Sequence, residues 1–402
     1  MTSTTAPAVP IVRVRDTRDL LSVVPYALGY RPAECLLVVC VRHGGGLGLV
    51  ARTDLADLRR PAARDEVAGL VAARAAEDGT TAAWVVVYTA DVGPGSTARA
   101  AVDAFAAALD AVVPECESWV VGPARYRSLD CTDPDCCPPD GYGVDELEST
   151  APGAELVLAG RAPLASREEL YRVPRADQAQ RDLAGRAAGR WARARTAAGD
   201  AVAGDAAAGD AAAGDAGLRG WRSRSFQTWR EAVAVAARGG TPSPAVLGRL
   251  ACALEDRSVR DGVLLSLVPG AEAHAAAVAT GEDADGATDA AVGDAMAAVV
   301  DPAAARRPDA ARTSAGVAVL EAVVAHAARR RTAAPLTLLA FLAWWSGEGA
   351  RAGFRCDEAL AVDPGHRLAQ LLAAALDAAL PPGWVRARSV AGLGRGSGGD
   401  LG

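Results

Sequence analysis

The chain has no lysine and no asparagine, one isoleucine (Ile11), and only 4% aromatic residues among its 402 positions. The missing lysine excludes Schiff-base chemistry, a pyridoxal phosphate anchor, a G-x-x-x-x-G-K phosphate loop and a lysine of the protein-kinase type. Histidine is nearly as scarce, with His43, His274, His326 and His366 the four available. The "HGGG" at His43–Gly46 has no G-x-S-x-G nucleophile elbow to go with it. It therefore reads as a hairpin turn, not as the oxyanion loop of an esterase. Long apolar runs are also missing. No uncharged stretch reaches the roughly 18 residues of a membrane span, and the N-terminus has no apolar h-region, so a soluble cytoplasmic protein is expected.

What is present bounds the rest. Hydrophobic residues make up 50% of the chain, enough for real cores, and the length suggests two to three domains. A formal net charge of −7 argues against nucleic acid as a general partner, because phosphate neutralisation supplies the affinity of such proteins. Eight cysteines without a secretion signal are expected to be reduced thiols or ligands, most of them, including Cys252 and Cys356, in cores.

Three zones follow. Residues 1–197 alternate strand and helix signals: "CLLVVCVR" and "AWVVVYTA" read as buried strands, "GLGLVARTDL" as the second arm of a hairpin, and segments from Pro61 and around Phe105 as amphipathic helices. The pattern predicts an α/β layer with a mixed sheet. Residues 198–220 repeat "GDAAA" with a five-residue period and read as a flexible Gly/Ala/Asp-rich linker. Residues 221–385 are helical by pattern. They include a long helix from Pro244 with a break expected near Asp261–Gly262, and an acidic loop at "GEDADGATDAAVGD". Residues 386–402 have the composition of a disordered tail.

Several motifs could carry chemistry. "DVGPGST" places Asp91, Gly93, Gly95 and Ser96 between a strand and a helix, where backbone N–H groups can hold an anion and where Ser96 serves equally well as a helix cap. Arg175, Arg181, Arg186, Arg190, Arg193 and Arg195 form a basic helix whose counter-charges are expected in the neighbouring linker aspartates. "LLAFLAWWSGEGARAGFRCDEALAVDPGH" resembles a single tetratricopeptide unit, with small residues where two antiparallel helices approach. Trp344 and Trp345 are adjacent, so one is expected to pack inward and the other to lie at a groove or interface, with Arg351 close by.

The densest cluster is "CTDPDCCPPDG", with Cys131, Cys136 and Cys137 inside seven residues. Alternation along "RYRSLD" puts Arg125 and Arg127 on one face just before it. Adjacent Cys136 and Cys137 are expected to diverge, leaving at most two thiols for one metal. Asp133, Asp135, His43 or a distant residue would then have to complete a zinc site. A redox pair of Cys131 with Cys136 and a plain proline-stiffened loop are the other two readings.

"DLLSVVPYALGYRPAECLLVV", "YRSLDCTDPDCCPPDG", "LAGRAPLASREEL" and "AWWSGEGARAGFRCDEALAVDPGHRLAQLL", in this order, resemble an actinobacterial family of domains of unknown function typified by a P-Y-x-L-G-[FY]-x-P segment. The resemblance implies serine in relatives at the position of Cys35 and glycine at that of Ala124, and it brings no activity with it. Two function classes remain. One is a binding or scaffold protein whose helical region contacts a protein partner. The other is a small-ligand or enzymatic α/β domain with a metal or redox thiol loop.

Overall fold

The computed structural model describes residues 13–200, 210–281 and 286–387. The chain divides into two compact units, Met1–Arg172 and Val173–Gly402.

The first unit is an α/β layer. Its elements run α1 (Thr17–Leu28), β1 (Cys35–Arg42), β2 (Leu47–Asp54), α2 (Pro61–Glu77), β3 (Thr80–Tyr88), α3 (Thr97–Asp110), β4 (Glu115–Val121), β5 (Arg125–Ser128), β6 (Tyr142–Gly143), α4 (Asp145–Glu148), α5 (Ala151–Leu158) and α6 (Arg167–Tyr171). The strands form one six-stranded sheet in the order β2-β1-β3-β4-β5-β6. Only β3 and β4 are parallel, joined by the α3 crossover, so the sheet is mixed as its pattern predicted. "HGGG" is the β1–β2 turn, with Gly44 and Gly45 at φ +85° and +80°, backbone that side chains rarely adopt.

Alternation along β1 sorts two cores. Leu36, Val38 and Cys40 face α2 and α3 through Val71 and Phe105, while Cys35, Leu37 and Val39 face α1 and α4 through Leu21, Val24 and Leu147. Helix α1 ends where Gly29 turns left-handed at φ +79°. This turn delivers Tyr30, 1% exposed, and then β1 into the sheet.

The second unit is helical: α7 (Gln178–Asp200), α8 (Asp210–Ala236), α9 (Pro244–Ala253), α10 (Arg257–Leu265), α11 (Ala275–Thr280), α12 (Gly286–Val300), α13 (Ala310–His326), α14 (Ala333–Trp345), α15 (Gly349–Val362) and α16 (Arg367–Asp377). Every residue of α14 is buried, as expected of a helix apolar all round. It pairs with α15 as a hairpin through a turn at Gly347, φ +85°.

Four sequence expectations change here. The boundary between units falls at 172/173, not at 197, because α7 packs into the helical unit: the Trp191 indole donates to Ser225 Oγ on α8, and Trp221 on α8 donates back to the Trp191 carbonyl. Of the expected linker, residues 201–209 lie outside the described residues, and from Asp210 the chain is helical. The long helix from Pro244 breaks at Leu254–Asp256, where Asp256 caps α10 by accepting from Ser258 and Val259 N–H. Gly262 instead lies inside α10, where a Cβ would sit 2.5 Å from Ala279 Cβ, so the glycine marks close helix approach and not a break. Finally, the expected acidic loop is helix from Gly286 onward, with residues 282–285 outside the described set. The expected tail beyond residue 387 also lies outside it.

Candidate functional site

The loop between β5 and β6 gathers the three thiols. Its start is pinned to β4: Leu129 N–H donates to the Ser118 carbonyl, Asp130 accepts from Ser118 N–H, and Ser128 Oγ accepts from Asp130 and Cys131 N–H. Its end is pinned to β5, where the Arg125 guanidinium donates to the Gly141 carbonyl at 2.9 Å. Gly141, at φ +72°, lies so close to β5 that a Cβ would fall 2.5 Å from the Tyr126 carbonyl oxygen.

Between these anchors the chain makes one tight turn. Asp133 Oδ1 accepts from Asp135 N–H at 2.9 Å, and the Asp133 carbonyl accepts from Cys137 N–H at 2.7 Å. The Tyr142 hydroxyl donates to the Cys136 carbonyl, and its ring stacks toward Tyr126 at 5.3 Å. All three sulfurs consequently lie within 4.8 Å of one another, with Cys136 and Cys137 Sγ 3.9 Å apart. The expected divergence of the adjacent cysteines is overturned: the turn at Asp133–Cys137 swings both toward Cys131, and the cluster can hold a metal ion.

The thiols differ in acidity. Cys131 is held below the ordinary thiol value, first by a hydrogen bond from the Asp133 backbone and then by Cys137. Cys137 is pushed up to about 12 by burial and by its sulfur neighbours. Cys35 and Cys40 are pushed up to about 11 and Cys116 and Cys356 to about 12, all chiefly by burial, as inert core thiols are.

The other predicted residues of this unit stand apart. Ser96 caps α3 by accepting from Arg99 N–H at 3.1 Å, and Asp91 accepts from Gly93 N–H at 3.0 Å, so both act within their own loop. That loop, which also contains Gly95, follows β3, two strands from β5. His43 lies at the β1–β2 turn, three strands away from β5 and thus about 14 Å across the sheet, too far to complete a metal site on the thiol loop. Arg127, on β5, pairs opposite Val120 of β4 and shares a strand face with Arg125.

One cluster escaped sequence reading. Arg52 donates to Asp54 at 2.6 Å, and Arg167 reaches the other Asp54 oxygen at 3.3 Å, beside fully buried Cys35. The buried hydroxyls of Tyr30 and Tyr88 and the Arg52 Nε have no hydrogen-bond partner among the described residues. The available signal was the i, i+2 spacing of Arg52 and Asp54, which puts both on one strand face opposite Leu37 and Cys35.

In the helical unit, both Trp344 and Trp345 are buried, at 5% and 0% exposure, so the expected inward–outward split does not occur. A helix enclosed on all sides can bury side chains 100° apart, and each indole finds a carbonyl, on Leu380 and on Arg306 respectively. Beside them, α13, α14 and α15 with Trp384 enclose a groove of about 460 Å³. Its lining is mixed, with Leu339, Leu342 and Val317 beside charged Arg307, Glu321 and Glu348. Arg351 stands at its edge, 3.0 Å from Glu348, while the buried Arg355 pairs with Glu358 and Glu321. Arg307 lies 4.7 Å over the Trp384 ring. The Thr313 hydroxyl, buried in the lining, has no partner among the described residues.

Of the basic helix, Arg186, Arg190 and Arg193 are exposed, and Arg195 is used internally. Arg195 and Arg222 both pair with Asp256 at 3.0 Å, Asp256 being 1% exposed, so the counter-charge of Arg195 comes from the start of α10.

The family described as Domain of unknown function (DUF4192) matches residues 18–383, and the chain belongs to it. No curated protein and no solved structure matches the chain. No helix among the described residues is long and apolar enough to cross a membrane.

Proposed function

We propose that the protein is a non-enzymatic binding or scaffold protein whose helical unit takes a segment of a partner protein into the groove between α13, α14 and α15. The groove carries this reading. Its volume is about 460 Å³. Val317, Leu339 and Leu342 suit apolar side chains of an entering segment, while the partly exposed Arg351 can meet that segment's peptide carbonyls. Trp344 and Trp345 then support the groove from behind, and Trp384 and Arg351 face the partner. Nucleic acid does not fit as that partner, given the acidic balance of the chain. The cytoplasm, which keeps free thiols reduced, suits the eight cysteines.

Selection of displayed random peptides against the full chain tests this. Enriched peptides should bind the native protein and fail to bind Ser346→Arg, whose side chain would fill the groove from the end of α14, with the thermal midpoint unchanged. Equal binding to both proteins, or no enrichment, overturns the reading.

A second reading concerns the α/β unit. The convergence of three sulfurs within 4.8 Å favours a thiolate metal site, with zinc as its ion.

A further inference from the structure

The three sulfurs of the β5–β6 loop are arranged as one face of a coordination tetrahedron. Four sulfurs about 2.3 Å from a tetrahedral zinc lie roughly 3.8 Å from one another. Cys136 and Cys137 Sγ, 3.9 Å apart, match such an edge, and Cys131 closes the triangle with every separation within 4.8 Å. A disulfide would use two of the sulfurs and leave the third without a role. A single cation uses all three.

The fourth corner has no donor among the described residues. Among the described residues, no imidazole, carboxylate or further thiol joins the three within that distance. Asp133 Oδ1 is turned to Asp135 N–H, and the Tyr142 hydroxyl is committed to the Cys136 carbonyl. His43 lies at the β1–β2 turn, three strands from β5. Cys136 is exposed, so the triangle opens to solvent on at least one side.

Resting on the second reading above, we infer that Cys131, Cys136 and Cys137 form an open three-thiolate site for one thiophilic divalent cation, zinc, with its fourth coordination position facing solvent. Closed four-ligand sites are structural, and an open position leaves room for an exchangeable ligand. Binding converts three thiols to thiolates, releases three protons and leaves a metal–thiolate group of net charge −1. Asp130, Asp133, Asp135 and Asp140 add negative charge around it. A neutral donor such as water or an imidazole is therefore favoured at the open corner over a further anion. The same charge balance weakens acidification of a bound water relative to sites with three neutral imidazoles, so the site suits ligand capture better than hydrolysis.

The experiment is a cobalt(II) titration of the reduced full chain, followed by visible absorption. One cobalt per chain should give thiolate charge-transfer and tetrahedral d–d bands, removed by one equivalent of zinc. Added imidazole should shift the d–d bands without removing the metal. Cys131→Ser and Cys136→Ser should each lose the charge-transfer band while circular dichroism shows the fold intact. Absence of cobalt bands in the native chain overturns the metal site itself. Bands that ignore imidazole leave the site standing and overturn the open position, because the chain would then supply the fourth ligand.

Discussion

The two units place their polar chemistry in opposite ways. The α/β unit holds its thiol triangle on a loop outside its two cores, hung from the sheet by a few backbone bonds and one arginine. The helical unit buries its most connected charges: Asp256, 1% exposed, caps α10 and takes Arg195 and Arg222 together. Loss of a loop group should remove a binding property and spare the fold. Loss of a buried junction should do the reverse, since a charge stripped of its partner in the interior has no water to turn to.

The largest expected effect breaks the comparison at that junction. Asp256→Ala leaves two arginines without their shared carboxylate and α10 without its cap. Arg195 is 43% exposed and can turn to water, so the loss lies in the cap and in the charged hydrogen bond of Arg222, and chemical denaturation should show about 2–4 kcal/mol. Cys136→Ser, at an exposed position, should change stability by less than about 0.5 kcal/mol in the same measurement. Similar losses in both variants would mean that the loop is part of the core's framework.

Next comes the close approach of α10 and α11. Gly262→Ala gains helix propensity, yet the new methyl would sit 2.5 Å from Ala279 Cβ and 2.7 Å from the Ala275 carbonyl oxygen. Crowding should prevail, with a net loss of about 1–3 kcal/mol by denaturation. A stabilised variant would show that α10 and α11 can slide apart.

The matching glycine of the first unit acts locally. Gly141→Ala places a side chain at φ +72° against the Tyr126 carbonyl, a strain of about 1–3 kcal/mol stored in the loop end and not in the sheet. The predicted outcome is weaker cobalt binding with the main unfolding transition nearly unmoved. Unchanged cobalt affinity would separate the thiol triangle from its anchor on β5.

These positions also show what was legible beforehand. The strands of the mixed sheet, the β1–β2 hairpin and the α14–α15 hairpin could be read because periodicity and turn glycines report local structure. Gly262 was misread because sequence does not say whether a glycine serves a turn or a neighbour's backbone. The place of α7 was missed because Trp191 and Arg195 meet Trp221 and Asp256 only through tertiary contacts. At the thiol loop the residues were visible but their convergence was not: it depends on the Asp133 turn and on Tyr142, which anchors the loop from β6. The Arg52–Asp54–Cys35 cluster stayed hidden because Cys35 on β1 meets Arg52 and Asp54 of β2 only through the pairing register.

The smallest effect separates the units by pH. His366 caps α16 with Nδ1 accepting from Ala369 N–H, and the Thr337 hydroxyl lies 3.3 Å from the same nitrogen. Burial, followed by the charge of Arg260, holds its pKa below the ordinary histidine value, with Asp363 opposing. The unfolded chain therefore takes up this proton first. The contribution of His366 to stability is complete above about pH 6.5 and is lost as pH falls through the lower folded value. In the first unit Asp54 is also held low. Burial alone would raise it, but the hydrogen bond and charge of Arg52, with Arg167, outweigh burial, so its contribution persists until pH falls below about 4. Between pH 7.5 and 5.5, hydrogen exchange corrected for its intrinsic pH dependence should quicken in α16 by an amount worth less than about 1 kcal/mol, while β1 and β3 stay constant. His366→Asn keeps a capping side chain that does not titrate and should flatten the response of α16. An unchanged slope in that variant would assign the acid sensitivity to another group.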